Sequence, residues 1–283
     1  MSKIIDLHSH TIASDGTLNP EELISLAKEN AVEILAITDH DSTESLSSAR
    51  IAAVSQGIQL VPGLEISTRW SGHDIHVVGL GVDASALVLR EGLKMQCQTR
   101  IIRAVQIAKK LEKHGANNAL IKAQEIAGRE SVGRPHFARY LVDIGFVKSF
   151  DEAFKKYLGA GKNAYVAIEW ATIEEAITWI QESGGLAVLA HPGRYRMTRT
   201  KLRGLIKAFK VWGGDAIEVC TPNHEPQMIN YLAKLSQDFN LLASQGSDFH
   251  SPETPWVKLG QMPKLPSGCD PIWREENCLF SAC

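Results

Sequence analysis

The stretch Asp6-Leu7-His8-Ser9-His10 closes the first apolar run of this chain and sets the reading of everything after it. Residues two apart on a strand project to the same side, so His8 and His10 can converge on one ion without distorting the backbone. By itself a His-x-His is equally well two polar residues at a strand end. The rest of the chain tips the balance. Downstream come Asp15, His40 in Thr38-Asp39-His40-Asp41, Glu65 in Pro62-Gly63-Leu64-Glu65, His76, His191 in Ala190-His191-Pro192, and Asp248 with His250 in Gly246-Ser247-Asp248-Phe249-His250. Six of the ten histidines fall in this series. Imidazole and carboxylate together suit zinc, manganese or iron, and the set exceeds what one tetrahedral zinc needs.

Working outward, short apolar segments at 3–7, 33–38, 59–66, 186–190, 215–219 and 241–243 alternate with helical patterns, which predicts an α/β architecture. Helix starts are legible at Asn19-Pro20 and at Thr172, which has Glu175 three residues later. His8, His40, Glu65, His191 and Asp248 each lie at or just after the carboxyl end of a predicted strand, and in a β/α barrel those ends share one face. His76 is the exception, because it precedes its predicted strand at 77–82. An antiparallel hairpin turning near Trp70 and Ser71 would place Glu65 opposite His76.

The middle of the chain carries helical patterns at 84–114, 119–128, 135–145 and 150–158, with no strand between them. The expected organisation is therefore a barrel formed by 1–89 and 166–283, with a helical insertion at 90–165 over the ligand-bearing mouth. Residues 269–283 give no clear pattern.

At 283 residues, with 44% apolar and 22% charged residues, the chain has the composition of a globular enzyme. Acidic residues (32) nearly balance basic ones (30), so bulk charge announces neither a long nucleic-acid footprint nor an anionic membrane. The amino terminus reaches a charge too early for a signal peptide, and no apolar run approaches a membrane span, which points to the cytoplasm. Cys97, Cys220, Cys269, Cys278 and Cys283 are odd in number and lack Cys-x-x-Cys spacing, so they are expected to remain thiols, with Cys220 a packing residue.

Each ligand candidate also has a bland reading. Asp15 before Gly16 reads as an Asx turn ahead of the helix at Pro20. Asp41 or Ser42 could cap a helix beginning near Thr43, and Asp39 and Asp41 are expected to support or cap rather than to ligate. Glu65 between Leu64 and Ile66 needs a partner, because an ionised carboxylate in an apolar setting is expensive, and bridging two cations would supply it.

Together these motifs resemble the PHP (polymerase and histidinol phosphatase) family. More narrowly, Asp6 to His10 with Ser14-Asp15-Gly16, Thr38 to Asp41, His76-Val77-Val78-Gly79-Leu80, Ala190 to Tyr195 and Gly246 to His250 are similar to the TrpH/YciV subfamily. Arg134-Pro135-His136-Phe137-Ala138-Arg139 and Phe154-Lys155-Lys156-Tyr157-Leu158 add to that match. The resemblance implies a distorted seven-fold β/α barrel and two or three divalent ions (Mn²⁺, Zn²⁺ or Fe²⁺). The first would be held by His8, His10, Glu65 and Asp248, the second by Glu65, His76 and His191, the third by Asp15, His40 and His250. Glu65, Asp248 and His191 would be central to catalysis.

It further implies a phosphoesterase that removes the 3′-phosphate from 3′,5′-bisphosphonucleotides such as pAp, or a 5′-to-3′ exoribonuclease on short 5′-phosphorylated single-stranded RNA. The expected mechanism is in-line attack on phosphorus by a hydroxide held between the first two metals, while the third neutralises a phosphoryl oxygen. Arginines are the natural clamp for a second phosphate. Arg134 with His136 at a helix start, Arg194 after the His191 turn, and Arg100 and Arg103 on one helix are the candidates, with His224 expected to line the pocket. For Arg134 the bland reading is a solvated side chain, with His136 capping its helix. For Arg100 and Arg103 it is a solvated helix face.

Three other readings compete. A PHP phosphatase specific for histidinol phosphate would share the ligand set. A metal-dependent amidohydrolase also begins with His-x-His, although its usual bridging lysine has no evident counterpart. A metal-stabilised nucleotide-binding protein without turnover would need a closed site. Metal identity, base preference and oligomeric state are not written in the sequence.

Overall fold

The computed structural model describes residues 3–274, so Cys278 and Cys283 lie outside the described residues. The alternating apolar segments form a seven-stranded sheet in sequential order: β1 (Ile5–Asp6), β2 (Ile34–Ile37), β3 (Gln59–Trp70), β4 (His73–Leu80), β5 (Leu186–Leu189), β6 (Ala216–Cys220) and β7 (Leu242–Gln245). β1 to β3 run parallel, as do β5 to β7. β4 is antiparallel to both its neighbours. Leu7 N donates to Gln245 O at 3.1 Å, Asp248 N to His8 O at 2.9 Å and His10 N to Phe249 O at 2.9 Å, so the last strand folds back against the first and the sheet closes into a nearly complete barrel. This is the distorted seven-fold β/α barrel that the motifs implied, and β4 is the distortion.

That strand also corrects the expectation for His76. Strand β4 begins at His73 rather than Val77, so His76 lies inside it. Ser71 (φ 45°) and Gly72 (φ 83°) make the two-residue turn, with both central residues in the left-handed region as tight hairpins of this type require. The register pairs Glu65 with Val78 and Ser67 with His76, not Glu65 with His76. The two side chains are diagonal neighbours on one face, and they meet nonetheless. Because β4 runs backwards, its amino end reaches the barrel end at which the parallel strands finish.

Helices α1 (Pro20–Glu29) and α2 (Leu46–Gln56) connect the first three strands. Asn19 and Glu22 exchange hydrogen bonds at 2.8 and 2.9 Å as a capping box on α1. Helix α2 starts at Leu46, later than expected, and neither Asp41 nor Ser42 caps it; its N-cap is Ser45, which makes no side-chain cap bond. α3 (Leu87–Glu112), α4 (Ala119–Ala127), α5 (Arg134–Asp143), α6 (Phe150–Ala153) with a π-helical turn over Phe154–Leu158, and α7 (Ile173–Glu182) follow β4. α8 (Arg199–Val211) and α9 (Pro226–Asp238) separate the last three strands.

The chain divides into two compact units. One comprises the residues up to Gly92 and from Ala171 onward, the other Leu93–Trp170. In the barrel unit, Ile5, Leu7, Ile34, Ala36, Val61, Val78, Leu80, Val188, Ala190 and Ala216 form one core cluster drawn from successive strands. Burying each large side chain there contributes roughly 1.5–3 kcal/mol. The helical unit has its own core around Ile107, Leu111, Phe137, Leu141 and Leu158.

Candidate metal centre

Chain geometry brings the nine predicted ligands together. Three groups of donor atoms lie within 4.8 Å of one another: His8, His10, Glu65 and Asp248; His40, Glu65 and His76; and His10, Asp15, His40 and His250. His191 Nε2 sits 3.0 Å from Glu65 Oε1, beside the second group. Glu65 is the hub, fully buried between the groups. Its Oε1 faces His76 Nδ1 at 2.9 Å and His191 Nε2 at 3.0 Å, while Oε2 faces His40 Nδ1 at 2.9 Å and His8 and His10 Nε2 at 3.4 Å each. His10 stands closer to Asp15, His40 and His250 than the resemblance implied.

The donor set fits divalent cations. His8 Nε2 and His10 Nε2 point at each other across 3.1 Å, an arrangement that suits two lone pairs converging on one positive charge. Among the described residues Glu65 Oε2 makes no properly aligned hydrogen bond despite its burial, a costly state for a carboxylate without a cation. Asp248 and His191 hold positive φ, 54° and 28°, and non-glycine residues adopt such strained conformations mostly where surrounding structure imposes them. Gly246 is required by close approach, since a Cβ there would lie 2.2 Å from His8 Cβ.

Electrostatics follow from this crowding. Burial alone would raise the carboxyl pKa of Glu65, but His76, His40 and His8 hold it well below the usual range. Burial is likewise outweighed at Asp248 by Arg194, His8 and His250, and at Asp15 by His40 and His250. Among the imidazoles, burial and the charge of His250 push His10 down to about 4. At His250 burial is overcome by Asp15 and Asp248, which lift it to about 9. His8 is raised well above its ordinary value because Glu218, Glu65 and Asp248 outweigh its burial. The carboxylates thus favour the charged form of His8 and His250, and burial with His250 disfavours it at His10.

Supporting residues anchor the ligand loops. Asp39 accepts from Thr11 N at 2.8 Å, Thr11 Oγ1 at 2.7 Å, Ser14 Oγ at 2.6 Å and Ser45 Oγ at 2.5 Å, so it organises the loop after His10 rather than its neighbour His40. Asp41 accepts from Ser67 N at 2.8 Å and ties the His40 loop to β3. Asp15, read alternatively as a turn former, is 6% exposed, with Oδ1 3.3 Å from His250 Nε2.

Two further residues contact the donor groups without being singled out by the sequence. Glu218, inside β6, faces His8 Nδ1 at 3.0 Å. The Tyr195 hydroxyl accepts from His76 N and donates to Ala190 O, both at 2.9 Å. A single acid within the apolar run Ala216-Ile217-Glu218-Val219 was the available signal for the first. For Tyr195 the sequence offered only its nearness to His191.

The predicted substrate residues divide. Arg194 Nη1 is hydrogen-bonded to Asp248 Oδ2, at the donor groups. His224 is buried and fully engaged, with Nδ1 on Val219 O at 3.0 Å and Nε2 accepting from Gly193 N at 3.2 Å, so it braces the turn after His191. In the helical unit, His136 Nδ1 accepts from Gly133 N at 3.1 Å, the capping role that was its bland reading. Arg103 is buried, donates to Val166 O at 3.1 Å and lies 5.3 Å from the Trp170 ring, which excludes a solvated face for it. Arg100 stacks over Trp170 at 5.3 Å, and Arg134 over Phe154 and Tyr165 at 5.9 Å each.

A barrel whose strand ends gather imidazoles around a buried glutamate is the frame of a metal-dependent hydrolase. The chain matches the PHP domain over residues 6–182 and belongs to the PHP family of metal-dependent phosphoesterases. It is 47% identical over 273 residues to a 5′-3′ exoribonuclease Rnm of Escherichia coli K12, covering 96% of this chain and 93% of that one. It is 43% identical over 272 residues to a 3′,5′-nucleoside bisphosphate phosphatase of Chromobacterium violaceum, covering 96% and 95%. A solved structure from Chromobacterium violaceum, described as an amidohydrolase with bound sulfate and no metal, superposes with a TM-score of 0.92 at 42% identity, covering 97% and 96%. Another from Bifidobacterium adolescentis, assigned provisionally as a metal-dependent phosphoesterase, gives 0.82 at 26% identity, covering 92% of each. Among the described residues no helix is long and apolar enough to cross a membrane.

Proposed function

We propose that this chain cleaves the bond between O3′ and phosphorus in nucleotides that also carry a 5′-phosphate. Cutting that bond in pAp yields AMP and orthophosphate. Cutting the same bond at the first residue of a short 5′-phosphorylated RNA releases a mononucleotide, so one site serves both a monoester and a diester. The convergence of imidazoles and carboxylates on Glu65 carries the reading, and the two relatives' names, an exoribonuclease and a bisphosphate phosphatase at similar identity, support both substrates.

The ligands in this reading are His8, His10, Glu65 and Asp248; then Glu65, His76 and His191; then Asp15, His40 and His250. They would hold two or three ions of Mn²⁺, Zn²⁺ or Fe²⁺. When bound, such ions lower the pKa of water and neutralise charge on phosphoryl oxygens. Glu65 presents one oxygen to each of two sets of imidazoles and so keeps them in a common geometry. Arg194, beside Asp248, is assigned to a substrate phosphoryl oxygen, because a guanidinium offers paired donors and stays charged. Arg134 and Arg100 are assigned to the second phosphate on the same chemistry. His224, His136 and Arg103, whose contacts lie within the protein, are assigned to support. The free thiols of Cys97, Cys220 and Cys269 agree with the cytoplasmic setting we assign.

The test compares products from pAp, AMP, histidinol phosphate and short RNAs with 5′-phosphate or 5′-hydroxyl ends, using Mn²⁺-loaded protein and a Glu65→Gln control. Orthophosphate and AMP from pAp, with mononucleotides from the 5′-phosphorylated RNA, are expected. Equal or faster turnover of AMP or histidinol phosphate would overturn the assignment.

A further inference from the structure

We propose that Glu218 is a positioning residue that fixes His8 as a ligand through Nε2 and at the same time clamps the backbone of His191. Glu218 is 2% exposed and sits among Ala216, Ile217, Val219 and Cys220, all buried and apolar, where an acid has no structural reason to be. Its two oxygens go to two different ligand segments. Oε1 lies 3.0 Å from His8 Nδ1, and Oε2 accepts from the His191 backbone N–H at 2.6 Å.

The hydrogen-bond inventory then leaves one arrangement. An ionised carboxylate only accepts and a backbone N–H only donates, so both contacts need acceptor oxygens. His8 Nδ1 therefore carries a proton whether the ring is charged or neutral, and in the neutral ring that a metal requires it is the one proton left. Its Nε2 is left with a lone pair, 3.1 Å from His10 Nε2, 3.3 Å from Asp248 Oδ1 and 3.4 Å from Glu65 Oε2. An acceptor behind a ligating histidine fixes its tautomer and ring orientation in this way. The second oxygen holds the N–H of a residue at φ 28°, a conformation that needs an external restraint. One carboxylate thereby links the first group of donors to the second.

Glutamine is nearly isosteric but has a single acceptor oxygen. If that oxygen keeps the His191 N–H, the amide NH₂ faces His8 Nδ1, which must become the acceptor and move its proton to Nε2. If the amide turns over, two donors confront each other across the short contact to His191. Both outcomes impair the site while leaving its volume unchanged.

The inference rests on the metal reading given under Proposed function, and the test separates the two. Zinc affinity of wild type and Glu218→Gln is measured by chelator competition, and the His8 tautomer is read by long-range ¹H–¹⁵N NMR. Expected are a protonated Nδ1 and a zinc-bound Nε2 in the loaded wild type, an affinity about 10–100-fold lower in the variant, and, in the metal-free variant, a proton on Nε2 with none on Nδ1, where the metal-free wild type keeps its Nδ1 proton. Equal zinc affinity with an unchanged tautomer would overturn the role of Glu218 alone. A wild type that binds no zinc would remove the metal reading and this inference with it. Should the variant not fold, the wild-type spectrum decides, because an unprotonated Nδ1 on loaded His8 contradicts the proposal.

Discussion

In the barrel unit imidazoles meet carboxylates, whereas in the helical unit guanidinium groups lie on aromatic rings. Glu65 alone faces five histidine rings, and its charge is held by them. Arg100, Arg103 and Arg134 instead rest near Trp170, Tyr165 and Phe154. The first arrangement is a set of titratable groups whose charges depend on one another. The second keeps a permanent positive charge on a flat support, where a cation–π contact adds about 0.5–1 kcal/mol. The contrast is between a cluster of imidazoles and carboxylates whose charges depend on one another and a set of arginines whose charge is fixed.

The largest effect should come from the hub. Glu65→Gln, or removal of metal by a chelator, is expected to lower turnover by about 10³-fold or more. Single-turnover kinetics with the circular-dichroism spectrum as control would check it, and near-wild-type rates would break the comparison on the barrel side.

Proton exchange gives the next effect. His250 has its pKa raised to about 9 because Asp15 and Asp248 outweigh burial, so at pH 7 it carries a proton that must leave before the ring can ligate. Apparent metal affinity should therefore rise up to about tenfold per pH unit between pH 7 and 9 for each such proton, then level off. Calorimetry in buffers of different ionisation enthalpy reads the protons released directly. Metal binding without proton release would contradict the charge assignment.

Glu65→Gln and the pH titration probe residues that could be read from the chain; their supports were less legible. Most strands and helices were visible because apolar period and capping residues are local signals. The face that gathers the donor residues was visible because strand ends share one side of a barrel. β3 was read as ending at Ile66, since Ser67, Thr68 and Arg69 are polar, yet they continue as strand because the ladder with β4 holds them. The same blindness put His76 outside its strand. Glu218 was in plain view, but only the closed barrel shows which way a strand residue faces. For Asp39 the sequence predicts a supporting or capping role without naming its partners, because Thr11, Ser14 and Ser45 are set by tertiary contact.

Asp39→Asn tests that supporting role. Losing one acceptor oxygen among four donors should destabilise the fold by about 2 kcal/mol, measured by urea unfolding of the metal-free protein. No change would mean that the loop after His10 is held by other contacts.

The smallest effect belongs to the helical unit. Arg134→Ala should raise KM for pAp about tenfold, the equivalent of about 1.4 kcal/mol, with metal content unchanged. If it lowers metal content instead, the division between the two units fails.

Anomalous diffraction from crystals of Mn²⁺- or Zn²⁺-loaded protein tests the central claim most directly, by locating each ion against its ligands. The account predicts peaks among His8, His10, Glu65 and Asp248, among Glu65, His76 and His191, and among Asp15, His40 and His250, with Glu65 shared by the first two. A single ion closed by four protein ligands, or ions bound away from Glu65, would contradict it.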